Sequence, residues 1–127
     1  MTEPLYRIWD IEEQTFIPQD NYKWYVGMEG FVRNRDGFVS QAHFIIQRCT
    51  GETDVNGKYI YEGDITKQIR DRRYWNDDII TVIEFNYGTF TMKTLYRDDG
   101  FDSSLKLEII GNNLENPELL LERDEDE

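Results

Sequence analysis

The spacing of glycine and the absence of proline constrain this chain most. All nine glycines lie between Gly27 and Gly111, several beside Asp or Asn, and no proline occurs from 19 to 116. Glycine next to Asp or Asn marks tight reversals, because these residues tolerate the backbone angles that turns need. A proline-free interior leaves its backbone N–H groups able to join ladders. Strand-favouring residues fill the intervals: Tyr22 to Val26, Gly30 to Val32, His43 to Cys49, Tyr59 to Tyr61, Ile65 to Ile69, Ile79 to Tyr87, Thr89 to Tyr96 and Leu107 to Ile110. No long stretch keeps a 3.6-residue apolar period. The pattern predicts a mainly β protein.

Local signals refine this. Asn56-Gly57 predicts a tight hairpin turn with both central residues at positive φ. Ile79 to Tyr87 and Thr89 to Tyr96, around Gly88, predict a long antiparallel hairpin. Alternation places Ile79, Ile83, Phe85 and Tyr87 on one face, with Glu84 and Asn86 on the other, so each strand has one face to bury and one to wet. Asp98-Asp99-Gly100 reads as a turn, and Asp102-Ser103-Ser104 as the cap of a short helical turn. Asn116-Pro117-Glu118 starts a terminal helical turn, with Asn as cap and Pro at the first helical position. Leu119, Leu120 and Leu121 would then dock on the body.

Charge narrows the function classes. With 26 acidic and 14 basic residues the net charge is −12. Phosphate affinity comes from clustered Lys and Arg, so a generic nucleic-acid binder is excluded, as is an anionic membrane surface. The charge is uneven: 1–50 carry −2, 51–121 carry −6 and 122–127 carry −4. One cysteine allows no intrachain disulfide and suits a reducing cytosol. There is no apolar run of membrane-spanning length and no secretory leader at the start, so a soluble cytoplasmic protein is expected.

Residues that might carry chemistry meet plainer readings. His43 and Cys49 lie six residues apart, about 20 Å along a straight strand, and cannot act together there. Cys49 reads as a small half-buried apolar residue, and one His plus one Cys falls short of a zinc set. Glu62, Asp64, Asp77, Asp78, Asp98, Asp99 and Asp102 read as turn and surface acids. A metal or glycosidase site would need them to converge. No phosphate-binding glycine motif occurs. No catalytic residue, metal ligand or cofactor is therefore assigned. The one basic stretch, Arg70-Asp71-Arg72-Arg73-Tyr74-Trp75, interleaves Arg with aromatics, as phosphate- and base-binding surfaces do. Arg70, Arg72, Arg73 and Trp75 form the candidate interaction patch. The plainer reading is a loop whose arginines pair with Asp71, Asp77 and Asp78.

Three blocks then stand out. They are Tyr6-Arg7-Ile8-Trp9-Asp10, then Thr50-Gly51, Asp54, Asn56-Gly57-Lys58 and Ile60-Tyr61-Glu62-Gly63-Asp64-Ile65, and finally Ile110-Gly111-Asn112 with Asn116-Pro117-Glu118-Leu119-Leu120. In order and spacing they resemble the YopX family of small phage and prophage proteins. Cys49 stands where an aromatic is common there, and Thr66 where valine is. The resemblance implies a strand-rich N-terminal part and a small C-terminal barrel similar to Src-homology-3-like folds. It implies phage or prophage origin, hence a bacterial cytoplasm, and it implies no enzyme and no catalytic residues to carry over.

The expected organisation is an N-terminal β subdomain at 1–50, a small β-barrel subdomain at 51–121 and an acidic disordered tail at 122–127. The expected function is a non-enzymatic phage or prophage accessory protein acting through protein–protein contacts. Its partners would be copies of itself, since pairing subunits protects strand edges, and a basic host or phage protein. The alternatives are a nucleic-acid module using the Arg70 patch, or a carboxylate- or metal-dependent hydrolase.

Overall fold

In the computed structural model the described residues are 6–18, 24–26, 32–34, 43–70, 73–74, 79–94, 98–102 and 104–120. The chain divides into two compact units, Met1–Cys49 and Thr50–Glu127. The fold is mainly β, with antiparallel sheets and one short helical turn near the C-terminus.

In the first unit, β1 (Tyr6–Asp10) and β2 (Thr15–Phe16) form a hairpin. Asp10 builds its turn: Oδ1 accepts from Glu12 N at 3.0 Å and Glu13 N at 3.2 Å. β1 also pairs with the start of β5 (Phe44–Thr53), from Tyr6 opposite Arg48 to Asp10 opposite Phe44. One face of this sheet carries Trp9, buried, with its ring edge-on to Phe16 at 4.9 Å. Arg7 lies over the same Phe16 ring at 4.6 Å and donates from Nε to Gln47 Oε1 at 2.8 Å. That bond satisfies the buried Gln47 amide oxygen. β3 (Trp24–Val26) and β4 (Val32–Asn34) make a separate two-stranded sheet. β1 and β2 are absent from the strand intervals read above, because their polar and charged residues mask the alternation. β4 begins where the expected interval ends.

The second unit holds the end of β5, which runs beside β6 (Tyr59–Tyr61), with Thr50 Oγ1 donating to Ile60 O at 2.8 Å. It also holds a curled five-stranded sheet, the small C-terminal half-barrel. Its members are β7 (Asp64–Gln68), β8 (Ile79–Asn86), β9 (Thr89–Lys93), β10 (Asp98–Gly100) and β11 (Leu107–Asn112), in the order β10-β9-β8-β7-β11. Ile60, Ile83, Met92 and Leu107 form the buried core on one face, flanked by Phe90, Phe101, Leu105 and Ile109.

Several expectations are corrected here. The central strands are buried on both faces, since Thr81, Val82 and Ile83 are all buried, as are Asp64, Ile65 and Thr66. A strand in mid-sheet with cover on each side shows a continuous buried run rather than alternation. Tyr87 leaves the core face altogether. It occupies the β8–β9 turn with Gly88, at φ 54° and 81°. Asp98-Asp99-Gly100 is strand β10, paired with Lys93, Met92 and Thr91, not a turn. Ladder bonds at the sheet's end outweigh the weak strand preference of Asp and Gly, and short acidic strands suit an edge.

Asn56 is not at positive φ; in this turn only Gly57 is, at 82°. Gly57 N donates to Asp54 O and Asp54 N to Lys58 O, so the loop has three residues and the left-handed glycine follows an ordinary turn. Asp102 makes a local turn with Ser104 rather than capping a helix, its Oδ1 accepting from Ser104 N at 2.9 Å. The terminal helical turn does form, over 118–120. The Asn116 side chain does not cap it. Its Oδ1 accepts from Asn112 N at 3.2 Å, while backbone Asn116 O takes Leu119 N. Ser103, Leu121 and the tail at 122–127 lie outside the described residues.

Candidate functional site

The polar residues of the three blocks converge on backbone, not on a cleft. Asp54 is buried at the start of the Asn56-Gly57 turn. Its Oδ1 accepts from Asn56 N and Lys58 N, both at 2.9 Å, and Oδ2 accepts from Ile109 N at 3.0 Å. Val55 N also donates to Leu107 O at 2.8 Å. The turn therefore occupies groups along the outer edge of β11, which would otherwise offer open pairing sites. Burial opposes the Asp54 charge. The Ile109, Lys58 and Asn56 N–H donors and the Lys58 ammonium outweigh it, so the carboxyl titrates below the usual value.

A second cluster lies where β7 begins. Gly63 turns at φ 88°, and Asp64, 1% exposed, accepts the Tyr61 N–H at 2.8 Å. Gly63 N donates to Ile83 O and Gly63 O accepts from Asn113 N. Asn112 lies opposite Asp64 across the β7–β11 ladder. Asn112 Oδ1 takes the N–H groups of Leu114 and Glu115, while its amide donates to Glu115 Oε1 at 2.6 Å. A bulge at Ile110 shifts the register and brings Gly111 opposite Ile65. A Cβ on Gly111 would lie 2.7 Å from Asn116 Oδ1 and 2.9 Å from a Leu119 methyl, so glycine leaves the space that these two side chains of the terminal turn occupy.

The sequence-predicted patch is only partly in view. Arg70 follows β7 and is half-buried. Arg73 and Tyr74 are exposed, with the guanidinium 5.6 Å from the Tyr74 ring centre. Arg72 and Trp75 lie outside the described residues, as do Asp71, Asp77 and Asp78. His43 is exposed just before β5, and Cys49 is half-buried within it. Among the described residues no three of His, Cys, Asp or Glu are grouped to hold a metal ion. Among them, too, no helix is long and apolar enough to cross a membrane.

Residues 5–121 match the YopX protein family, so the match spans nearly the whole chain. The chain belongs to the YopX family. Its fold resembles protein EF1440 from Enterococcus faecalis, with a TM-score of 0.62 and 23% identity over 94% of this chain and 99% of that one. It also resembles the yopX protein of Bacillus subtilis, with a TM-score of 0.56 and 22% identity over 91% of this chain and 96% of that one. At such identities the likeness is one of fold. No curated protein matches the sequence.

The family blocks thus act as fold devices. Sequence reasoning read Asn56-Gly57 this way but missed Asp54 and Asn112 as hubs. An Asp two residues before Asn-Gly was the available signal, because Asp side chains bond N–H groups two residues on. The bond from Ile109 N joins positions 55 residues apart and leaves no local mark.

Proposed function

We propose that this YopX-family chain is a non-enzymatic phage or prophage accessory protein. It acts in the bacterial cytoplasm through protein–protein contacts and self-association. One observation supports this most: the buried acids and amides of the family blocks bond backbone N–H groups. Asp54 and Asn112 are engaged in holding turns, a role that needs no substrate. The net charge of −12 favours a basic partner, which it can steer electrostatically. Contacts through faces or hairpin tips fit better than edge pairing at β11, whose outer side the 54–57 turn already engages.

A pull-down from the bacterial host with the chain as bait should return a basic protein reproducibly. Failure to do so overturns the partner reading. Light scattering at tens of micromolar should give a mass above the monomer, and a strictly monomeric mass overturns self-association. Calcium, magnesium or zinc should not raise Tm beyond ionic-strength controls. A specific rise would favour a metal-dependent enzyme instead.

The stacking of Arg73 on exposed Tyr74 keeps one second reading, a nucleic-acid module. It requires a salt-sensitive oligonucleotide shift that disappears when Arg70, Arg72 and Arg73 are replaced together.

A further inference from the structure

We propose that Tyr87, at the tip of the β8–β9 hairpin, is the anchor through which the chain docks a basic protein, its ring entering an apolar pocket of that partner. The proposal rests on the protein-contact reading above and names its surface.

Two independent observations converge on this residue. First, the turn is strained. Asn86 pairs with Thr89, leaving Tyr87-Gly88 as a two-residue loop with both φ angles positive. Such turns favour Asn-Gly, and a bulky residue at positive φ is an outlier. Second, nothing within the fold compensates. Tyr87 is 105% exposed, so its ring gains no packing from the chain that holds it in this conformation. Strain kept without internal benefit points to an external role.

The stalk beneath is stiff. Phe85 and Phe90 pack with ring centres 4.9 Å apart, and the Asn86 amide donates to Glu84 at 3.2 Å and to Thr91 at 3.4 Å. A tyrosine on a rigid hairpin loses few torsions when it docks, which is why tyrosine is frequent among interface anchors. The occupant's charge follows from the surroundings. Residues 84–91 carry a single charge, Glu84, on a chain at −12. A cationic rim around the pocket complements this charge.

The test is the Tyr87→Asn variant, which restores Asn-Gly to the turn. The probe is the basic protein recovered with the wild-type bait and then purified. Calorimetry should show its Kd weakened about tenfold or more by Tyr87→Asn, while Ile11→Asn, at an exposed apolar residue of the β1–β2 turn, binds as wild type does. Tm of Tyr87→Asn should rise by a few degrees. A photo-crosslinking residue at 87 should link to the purified partner. Unchanged binding by Tyr87→Asn overturns this proposal and leaves the partner reading standing. Absence of any basic partner for the wild type overturns both. A lower Tm in Tyr87→Asn removes the strain argument, and crosslinks to a second copy or to lipid vesicles assign the tip to a different occupant.

Discussion

Asp54 carries a charge that burial opposes, and three backbone N–H groups face it. An asparagine has the same shape, but its NH2 must point at one of these donors. Tyr87 presents the opposite case, a residue whose conformation its own chain does not reward. For Asp54→Asn we expect a loss of about 3 kcal/mol in urea unfolding, the upper range for bonds to a charged acceptor. Faster amide exchange at Ile109 should accompany it. The pH dependence follows from the lowered carboxyl value. A carboxyl lowered by folding contributes its full stability above the unfolded value, near 3.8, and loses it as pH falls through the lower folded value. The gap between wild type and Asp54→Asn should therefore be constant from pH 7 to about 5 and shrink below about 4. A gap that widens on acidification contradicts the assignment.

Strands β7 and β8 meet through a polar pair inside the sheet. Thr66 and Thr81 are opposite each other, both buried, with their hydroxyls 2.7 Å apart. Either valine substitution strands one hydroxyl without a partner, and each should cost about 1–2 kcal/mol. The double variant removes both hydroxyls together and should cost clearly less than the sum of the singles in a thermodynamic cycle. On β11, Gly111→Ala forces the new methyl against Asn116 and Leu119. An overpacking cost of about 1–3 kcal/mol is expected, and hydrogen exchange at Asn112 and Asn113 should locate the damage at the terminal turn.

These elements show what a linear reading can reach. The β8–β9 hairpin was legible because Gly88 lies between two apolar runs, and β6 because Tyr59 to Tyr61 follows a recognisable turn. Strand β10 was not, because Asp-Asp-Gly has turn chemistry and becomes a strand only when β9 supplies its ladder bonds. The two-sided burial of β7 and β8 was not either, since Asp64, Thr66 and Thr81 are buried polar residues of a kind that reads as a wet face. The Arg70–Trp75 stretch was visible as a composition anomaly, yet sequence order alone does not say which of its side chains converge.

For the whole molecule, net charge sets the response to salt. A chain at −12 repels itself in its compact state, and screening by added salt relieves this. Tm should rise between 10 and 200 mM NaCl, equally with KCl, and most steeply at the low end. A fall in Tm would mean that attractive ion pairs, such as Lys67 with Glu108 at 3.5 Å, dominate instead.

Glycine spacing, the proline-free interior and the apolar intervals determined by themselves that this chain is a β protein with short hairpins, because turn and strand preferences act over neighbouring residues. The order and spacing of the three blocks also carried the family resemblance. Only the tertiary structure decided what Asp54, Asp64, Asn112 and Gly111 do, and that Tyr87 stands at a tip rather than in the core. Those roles depend on partners brought together by the sheet: Ile109 for Asp54, Asn116 and Leu119 for Gly111, Thr89 across from Asn86. Contacts between residues far apart in the chain leave no periodicity to read.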